Sequence, residues 1–140
     1  MRYNLKKGFT LIELLVVIAI IGVLSAVVLA SLNTARSKGN DAAVMSDLGG
    51  IRTQAQIFYG DNANSYTGVC AESTIAKQIT DAEIANGAAN TVVCNASATA
   101  YAVSSGLITP SPAAYYCVDS VGTATTTATA LVTGGATVCS

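Results

Sequence analysis

Residues 14–35 read LLVVIAIIGVLSAVVLASLNTA, a run without a charged side chain that begins directly after Glu13 and is closed by Arg36 and Lys38. As a helix this run extends about 33 Å against about 30 Å for the hydrocarbon core of a bilayer, so it is long enough to cross one. Its apolar residues surround the helix instead of forming a stripe, the pattern of a buried or membrane-spanning helix and not of one lying on a surface.

The composition outside the run narrows the fold further. The chain has 140 residues, 51% hydrophobic and 11% charged, with no His, no Trp and a formal net charge of -1. Such a balance excludes a disordered tail, a charge-rich coiled coil and a basic nucleic-acid binder. The length suits one domain and leaves no room for a large enzyme with a separate substrate domain.

An ordinary secretory signal is the competing reading of the N-terminus, with Arg2, Lys6 and Lys7 as its basic region and Val28-Leu29-Ala30 before Ser31 as a small-residue cleavage site. Two features argue against it. The run exceeds the roughly 7 to 15 apolar residues of a signal, and Glu13 places a carboxylate at its start, which insertion alone selects against. A lipoprotein signal fails because no Cys follows the run.

The stretch Lys6-Lys7-Gly8-Phe9-Thr10-Leu11-Ile12-Glu13, followed at once by the apolar helix, resembles the class III signal and N-terminus of the type IV pilin and pseudopilin family. The resemblance covers about 30 residues and implies a membrane-embedded peptidase and methyltransferase that recognises Lys6, Lys7, Gly8, Phe9 and Glu13. It implies a cut between Gly8 and Phe9 on the cytoplasmic side, methylation of the new Phe9 amine, and Glu13 as the fifth residue of the mature chain. Many family members carry a Pro inside the apolar segment, whereas this chain has Gly22 there and no Pro before Pro110.

The chemistry of these positions also follows from the residues themselves. Gly8 leaves its carbonyl uncovered and readily takes the extended form that proteolysis needs. Lys6 and Lys7 hold the leader at the cytoplasmic face by the positive-inside preference. A carboxylate at the bilayer centre costs roughly 2.5 to 3.5 kcal/mol, less near the interface, and persists where something compensates it. Cleavage supplies a partner: the new Phe9 amine, with an ordinary pKa near 8, can meet Glu13 of a neighbouring copy in a stack of staggered parallel helices and fix the axial register. The bland alternative is a carboxylate that snorkels to the headgroups. Methylation keeps the amine charged and the pair possible.

Beyond Arg36, Val44, Leu48, Ile51, Ala55 and Phe58 recur at alternating steps of four and three, one buried helical stripe. The reading is therefore a leader over 1–8, one long helix over 9–59 that spans the membrane before assembly at about 14–35, and a globular head over 60–140. Gly39, Gly49 and Gly50 each cost roughly 1 kcal/mol against Ala in a helix, and 37–40 is expected to be its soft point. Gly60-Asp61-Asn62-Ala63-Asn64-Ser65 is turn chemistry. Its oxygens do not fall at the alternate positions of a calcium loop, so it reads as a plain loop.

Residues 73–86 predict one or two short helical turns with Ile75, Ile79 and Ala82 inward and a capping box at Thr80-Asp81-Ala82-Glu83. Three antiparallel strands are expected at 101–104, 115–119 and 127–133, rich in β-branched and aromatic residues between Gly and Pro. Together these give an α+β, pilin-like head packed against the long helix. The low-complexity stretch 123–129 reads as an exposed strand or loop, with O-linked sugar as the alternative. Asn95-Ala96-Ser97 matches a glycosylation acceptor too short to carry weight.

Cys70, Cys94, Cys117 and Cys139 all follow the apolar run, which suits an oxidising compartment. They contain no C-x-x-C pair and are joined by no His, which argues against zinc or redox chemistry. Of the three possible pairings, Cys70–Cys94 with Cys117–Cys139 closes two local loops and ties the C-terminus to the sheet. Each bridge is worth about 3 kcal/mol to a head with a thin core.

The sequence holds no catalytic constellation. A His-based triad is impossible, and no phosphate loop, metal cluster or close carboxylate pair is visible. Removing residues 1–8 deletes Arg2, Lys6 and Lys7 and leaves four basic against eight acidic residues, net -4, so direct nucleic-acid binding is not expected. No cofactor or metal is expected either. The reading is a structural subunit of a helical filament, not an enzyme, with identical or related subunits, the prepilin peptidase, inner-membrane assembly machinery and membrane lipid as partners. It is expected as a single-pass inner-membrane protein with a cytoplasmic N-terminus, then in an extracellular pilus.

Two alternatives remain. A pseudopilin of type II secretion would form a periplasmic pseudopilus, but major pseudopilins carry a calcium site of acids near the C-terminus, and here only Asp119 follows Glu83. A membrane-tethered binding module would use its helix as an anchor and never polymerise.

Overall fold

A computed structural model describes residues 8–87, 91–109 and 114–139. The chain divides into two compact units, one ending at Arg36 and one beginning at Ser37. Helix α1 (Leu11–Asp61) contributes to both, as the apolar run and the buried stripe together require.

In the first unit every described residue up to Arg36 is exposed. The most apolar 18-residue window of α1 has a mean hydropathy of 3.0 and no buried residue. The helix begins two residues later than the sequence suggests, because Thr10 stands outside it as its cap. Glu13 N donates to Thr10 Oγ1 at 3.2 Å, while Thr10 N donates back to Glu13 Oε2 at 2.8 Å, the reciprocal bonds of a capping box.

In the second unit α1 buries Asp41, Val44, Leu48, Ile51 and Ala55, with Phe58 partly buried, the stripe read from the sequence with Asp41 added. The helix ends at Asp61, two residues beyond the expected Tyr59. There Ala63 and Asn64 take left-handed backbone, Asn64 N donates to Tyr59 O at 3.0 Å, and the Asn62 amide donates to Ser65 O at 3.0 Å. The expected soft point and Gly49-Gly50 lie within continuous helix. At Gly50 a Cβ would stand 2.4 Å from Gln78 Nε2, so the missing side chain is where a second helix comes close.

That helix, α2 (Ser73–Ala85), is a single element of 13 residues and follows a 3-10 turn at Val69–Ala71. The expected capping box at Thr80–Glu83 is wrong: Thr80 lies mid-helix and its hydroxyl donates to Ala76 O at 3.0 Å. The true cap is Glu72, whose carboxylate accepts from Ile75 N at 2.9 Å. Ile75 and Ala82 are fully buried and Ile79 packs against the core, as their spacing predicts.

Four antiparallel strands, not three, complete the head in the order β1 (Val93–Ala96), β2 (Tyr101–Gly106), β3 (Tyr115–Asp119) and β4 (Ala124–Thr127). β1 escapes sequence reading because it has four residues and lacks alternation; β4 lies in the threonine stretch, earlier than the expected 127–133. Cα partners such as Cys94 with Val103 and Val103 with Val118 put Tyr101, Val103 and Val118 on the face toward the core. There they join Val44, Leu48 and Ile51 of α1 and Ile75 of α2. Registers Asn95–Ala102–Asp119 and Val93–Ser104–Cys117 form the opposite face.

That outer face is covered by the C-terminal segment over 131–139. The Asn95 amide donates to Val132 O at 2.8 Å and Ala136 O at 3.0 Å, and its oxygen accepts from Gly134 N at 2.8 Å. Leu131 N donates to Ser104 Oγ at 3.3 Å and Cys139 N to Asp119 Oδ2 at 2.9 Å. Asn95 is buried and its amide fully used, so the glycosylation pattern at Asn95 is spent on the fold.

Candidate assembly site

A helix whose whole surface is apolar needs a covering, because soluble proteins rarely expose contiguous apolar patches beyond a few hundred Å². Phe9 is 90% exposed and Leu11, Ile12, Leu14, Ile18 and Val23 are each more than half exposed. A bilayer or a set of parallel sister helices has the chemistry to supply such a covering.

At the head of this surface the Thr10–Glu13 box concentrates the polar groups. Thr10 Oγ1 also donates to Glu13 at 2.8 Å, and both bonds to the carboxylate fall on Oε2. Glu13 Oε1 has no hydrogen-bond partner among the described residues. The box supplies part of what a carboxylate in this setting needs: one N–H and one O–H donor, both of Thr10, at the positive end of the helix dipole. Thr10 is the residue that sequence reading passed over, although T-x-x-E before an apolar run was its signal. Gly8 is exposed, and a Cβ there would meet nothing within 4 Å. Lys6 and Lys7 lie outside the described residues.

The remaining site residues lie in the head. Cys70 is bonded to Cys94 with Cα atoms 5.9 Å apart, and Cys117 to Cys139 with Cα atoms 5.8 Å apart. The first joins the 3-10 turn to β1; the second joins β3 to the C-terminal segment.

Residues 3–29 match the family described as "Prokaryotic N-terminal methylation motif". The chain is 49% identical over 61 residues to the type IV wide pilus major component PilA4 of Thermus thermophilus, covering 44% of this chain and 46% of that one. It is 35% identical over 92 residues to the type IV major pilin protein PilE of Neisseria gonorrhoeae, covering 60% and 54% of the two. With the type IV major fimbrial protein FimA of Dichelobacter nodosus it shares 30% over 95 residues, 68% of this chain and 60% of the other.

The chain is similar to the type IV pilins.

The chain spans about half the length of the first relatives it matches. No solved structure matches it. The matched motif contains Phe9, Thr10 and Glu13, so the capping box and most of the apolar run lie within the matched segment.

Proposed function

We propose that this chain is a pilin, the structural subunit of a type IV pilus, held in the inner membrane by α1 and then stacked through it into a filament. The observation that carries the reading is the apolar part of α1, exposed throughout up to Arg36 and headed by the Thr10–Glu13 box inside the methylation motif. The prepilin peptidase cuts between Gly8 and Phe9, after engaging Lys6 and Lys7, and methylates the Phe9 amine. The head passes to the outer side of the membrane, where the assembly machinery extracts the subunit. In a stack, each heterologous contact repeats without closing, which gives a helix of subunits.

Glu13 sets the register. Its Oε2 remains engaged by Thr10 of its own chain, while Oε1 faces the charged Phe9 amine of the next copy. Capping and pairing thus use different oxygens of one carboxylate. A wrong stagger leaves both amine and carboxylate unpaired in an apolar setting, at a cost of several kcal/mol.

The test is electron microscopy of surface material sheared from cells that express the wild-type chain or Glu13→Ala, with mass spectrometry of the filament protein. Long filaments whose protein starts at methylated Phe9, lost or reduced at least tenfold in the variant, are expected. Cleavage after Gly8 without filaments outside the cell would move the chain to a pseudopilus. A mature start at Ser31, or equal filament yield from Glu13→Ala, would overturn the proposal.

A further inference from the structure

Beside α1 the head carries a cleft of about 570 Å³ that neither the apolar helix nor the C-terminal segment occupies. Its polar lining is unbalanced. Arg52 is half-buried there, yet the ion pair found among the described residues is Lys77–Asp81, and the guanidinium has no hydrogen bond within that set. Asp119 also lines the cleft, but its carboxylate is already engaged: Oδ1 accepts from Val121 N at 3.1 Å and Thr123 N at 2.9 Å, and Oδ2 from Cys139 N.

One neighbouring hydroxyl, that of Ser120, is a donor without an acceptor. Ser120 Oγ accepts from Tyr101 N at 3.3 Å, which leaves its own O–H to donate. Tyr101 is 1% exposed, and its hydroxyl oxygen is buried with no partner among the described residues. That hydroxyl is closed off from the cleft, so the donors a ligand can meet there are Arg52 and Ser120. Gly49 and Gly122 leave the walls bare. Gly122 has φ +97°, so the position is closed to other residues, and a Cβ there would come within 4.0 Å of Arg52 Nη2. At the rim Ile57 offers an apolar surface.

A cleft with one unpaired guanidinium, one free donor hydroxyl and a committed carboxylate takes an anion that accepts hydrogen bonds. Its volume lies in the range of small-molecule sites, about 300–1,000 Å³. We propose that it binds a small carboxylic acid bearing hydroxyl groups, of the size and chemistry of a sugar acid. Arg52 holds the carboxylate in a forked pair, and the Ser120 hydroxyl donates to a ligand oxygen. Ile57 covers a face of the ring.

Glucuronate titrated into the full chain in detergent micelles, followed by amide and arginine side-chain NMR signals, tests the site; glucose is the uncharged control. Saturable shifts at Arg52, Ser120 and Gly122 with glucuronate, absent with glucose, are expected. Arg52→Gln should weaken binding at least tenfold with the rest of the spectrum unchanged, and Arg52→Lys should fall between. The proposal fails if glucose gives equal shifts, if none saturates, or if Arg52→Gln binds like wild type. A negative titration with loss of filaments in Arg52→Gln would instead assign the cleft to a carboxylate of the neighbouring subunit, and the ligand site would be withdrawn. The titration is read on the unassembled chain, so its outcome is independent of the filament test.

Discussion

Asp41 is the charged residue of α1 that the fold hides most deeply on the head side, 5% exposed among apolar neighbours. Its Oδ1 accepts from Ile108 N at 2.6 Å, and its Oδ2 accepts from Thr109 N at 2.9 Å and from the Thr109 hydroxyl. One carboxylate thereby fastens the segment after β2 to α1, a connection 67 residues apart in sequence. Asp41→Ala removes the acceptor and leaves two part-buried backbone donors, each costing about 1–3 kcal/mol when unpaired. Water entering the space left by the side chain recovers some of this, so the expected loss is about 2–4 kcal/mol. Against a typical total of about 5–15 kcal/mol that is a large fraction.

The assay is urea unfolding of the full chain in micelles, followed by tyrosine fluorescence, since the chain has six Tyr and no Trp. Thr109→Val removes one hydroxyl donor and should cost about 0.5–1.5 kcal/mol. In the double variant the two losses should overlap by at least about 0.5 kcal/mol, because the sites share a bond. A loss below about 1 kcal/mol for Asp41→Ala, or full additivity with Thr109→Val, would refute the reasoning.

Two further outcomes are expected. Burial pushes the Tyr101 hydroxyl up to about 12, while a tyrosine in the unfolded chain titrates near 10. The preference for the neutral form is fully present below pH 10 and is lost as pH rises toward 12, withdrawing about 2 kcal/mol; in Tyr101→Phe the difference between stability at pH 9 and pH 11.5 should shrink by that amount. Cys139→Ser opens a bridge of sequence separation 22 and should lower stability by about 2–4 kcal/mol. It should also expose 131–139 to limited proteolysis ahead of the rest of the head; equal protease resistance to wild type would contradict this.

What was legible in the sequence was whatever repeats or concentrates along the chain. The apolar run and the stripe at Val44, Leu48, Ile51 and Ala55 extend over many turns, so local noise does not obscure them. The motif at Gly8–Glu13 is compact and joins several residue types at fixed spacing. What was missed depends on partners far away in sequence. Asp41 inside a helix looks solvated until Ile108 and Thr109 arrive to use it. β1 has four residues and gains its identity by pairing with β2, and the Arg52–Tyr101 cleft joins α1 to strands and a turn about 50 to 70 residues later. The misplaced capping box has a local cause: Thr80 and Glu83 fit the pattern, but Glu72 starts the helix a full two turns earlier.

The C-terminal segment is held almost wholly by its own main chain. Leu131, Gly134 and Cys139 contribute N–H groups and Val132 and Ala136 carbonyls, while the side chains that grip them, Asn95, Ser104 and Asp119, belong to the sheet beneath. Val132, Thr133, Ala136 and Val138 point their own side chains into the open. Gly134, with its left-handed backbone, and Cys139 are fixed by geometry and by the disulfide. The exposed positions between them are free of structural duty. The outermost surface of the head can therefore change its chemical face by substitution while the clasp underneath stays the same.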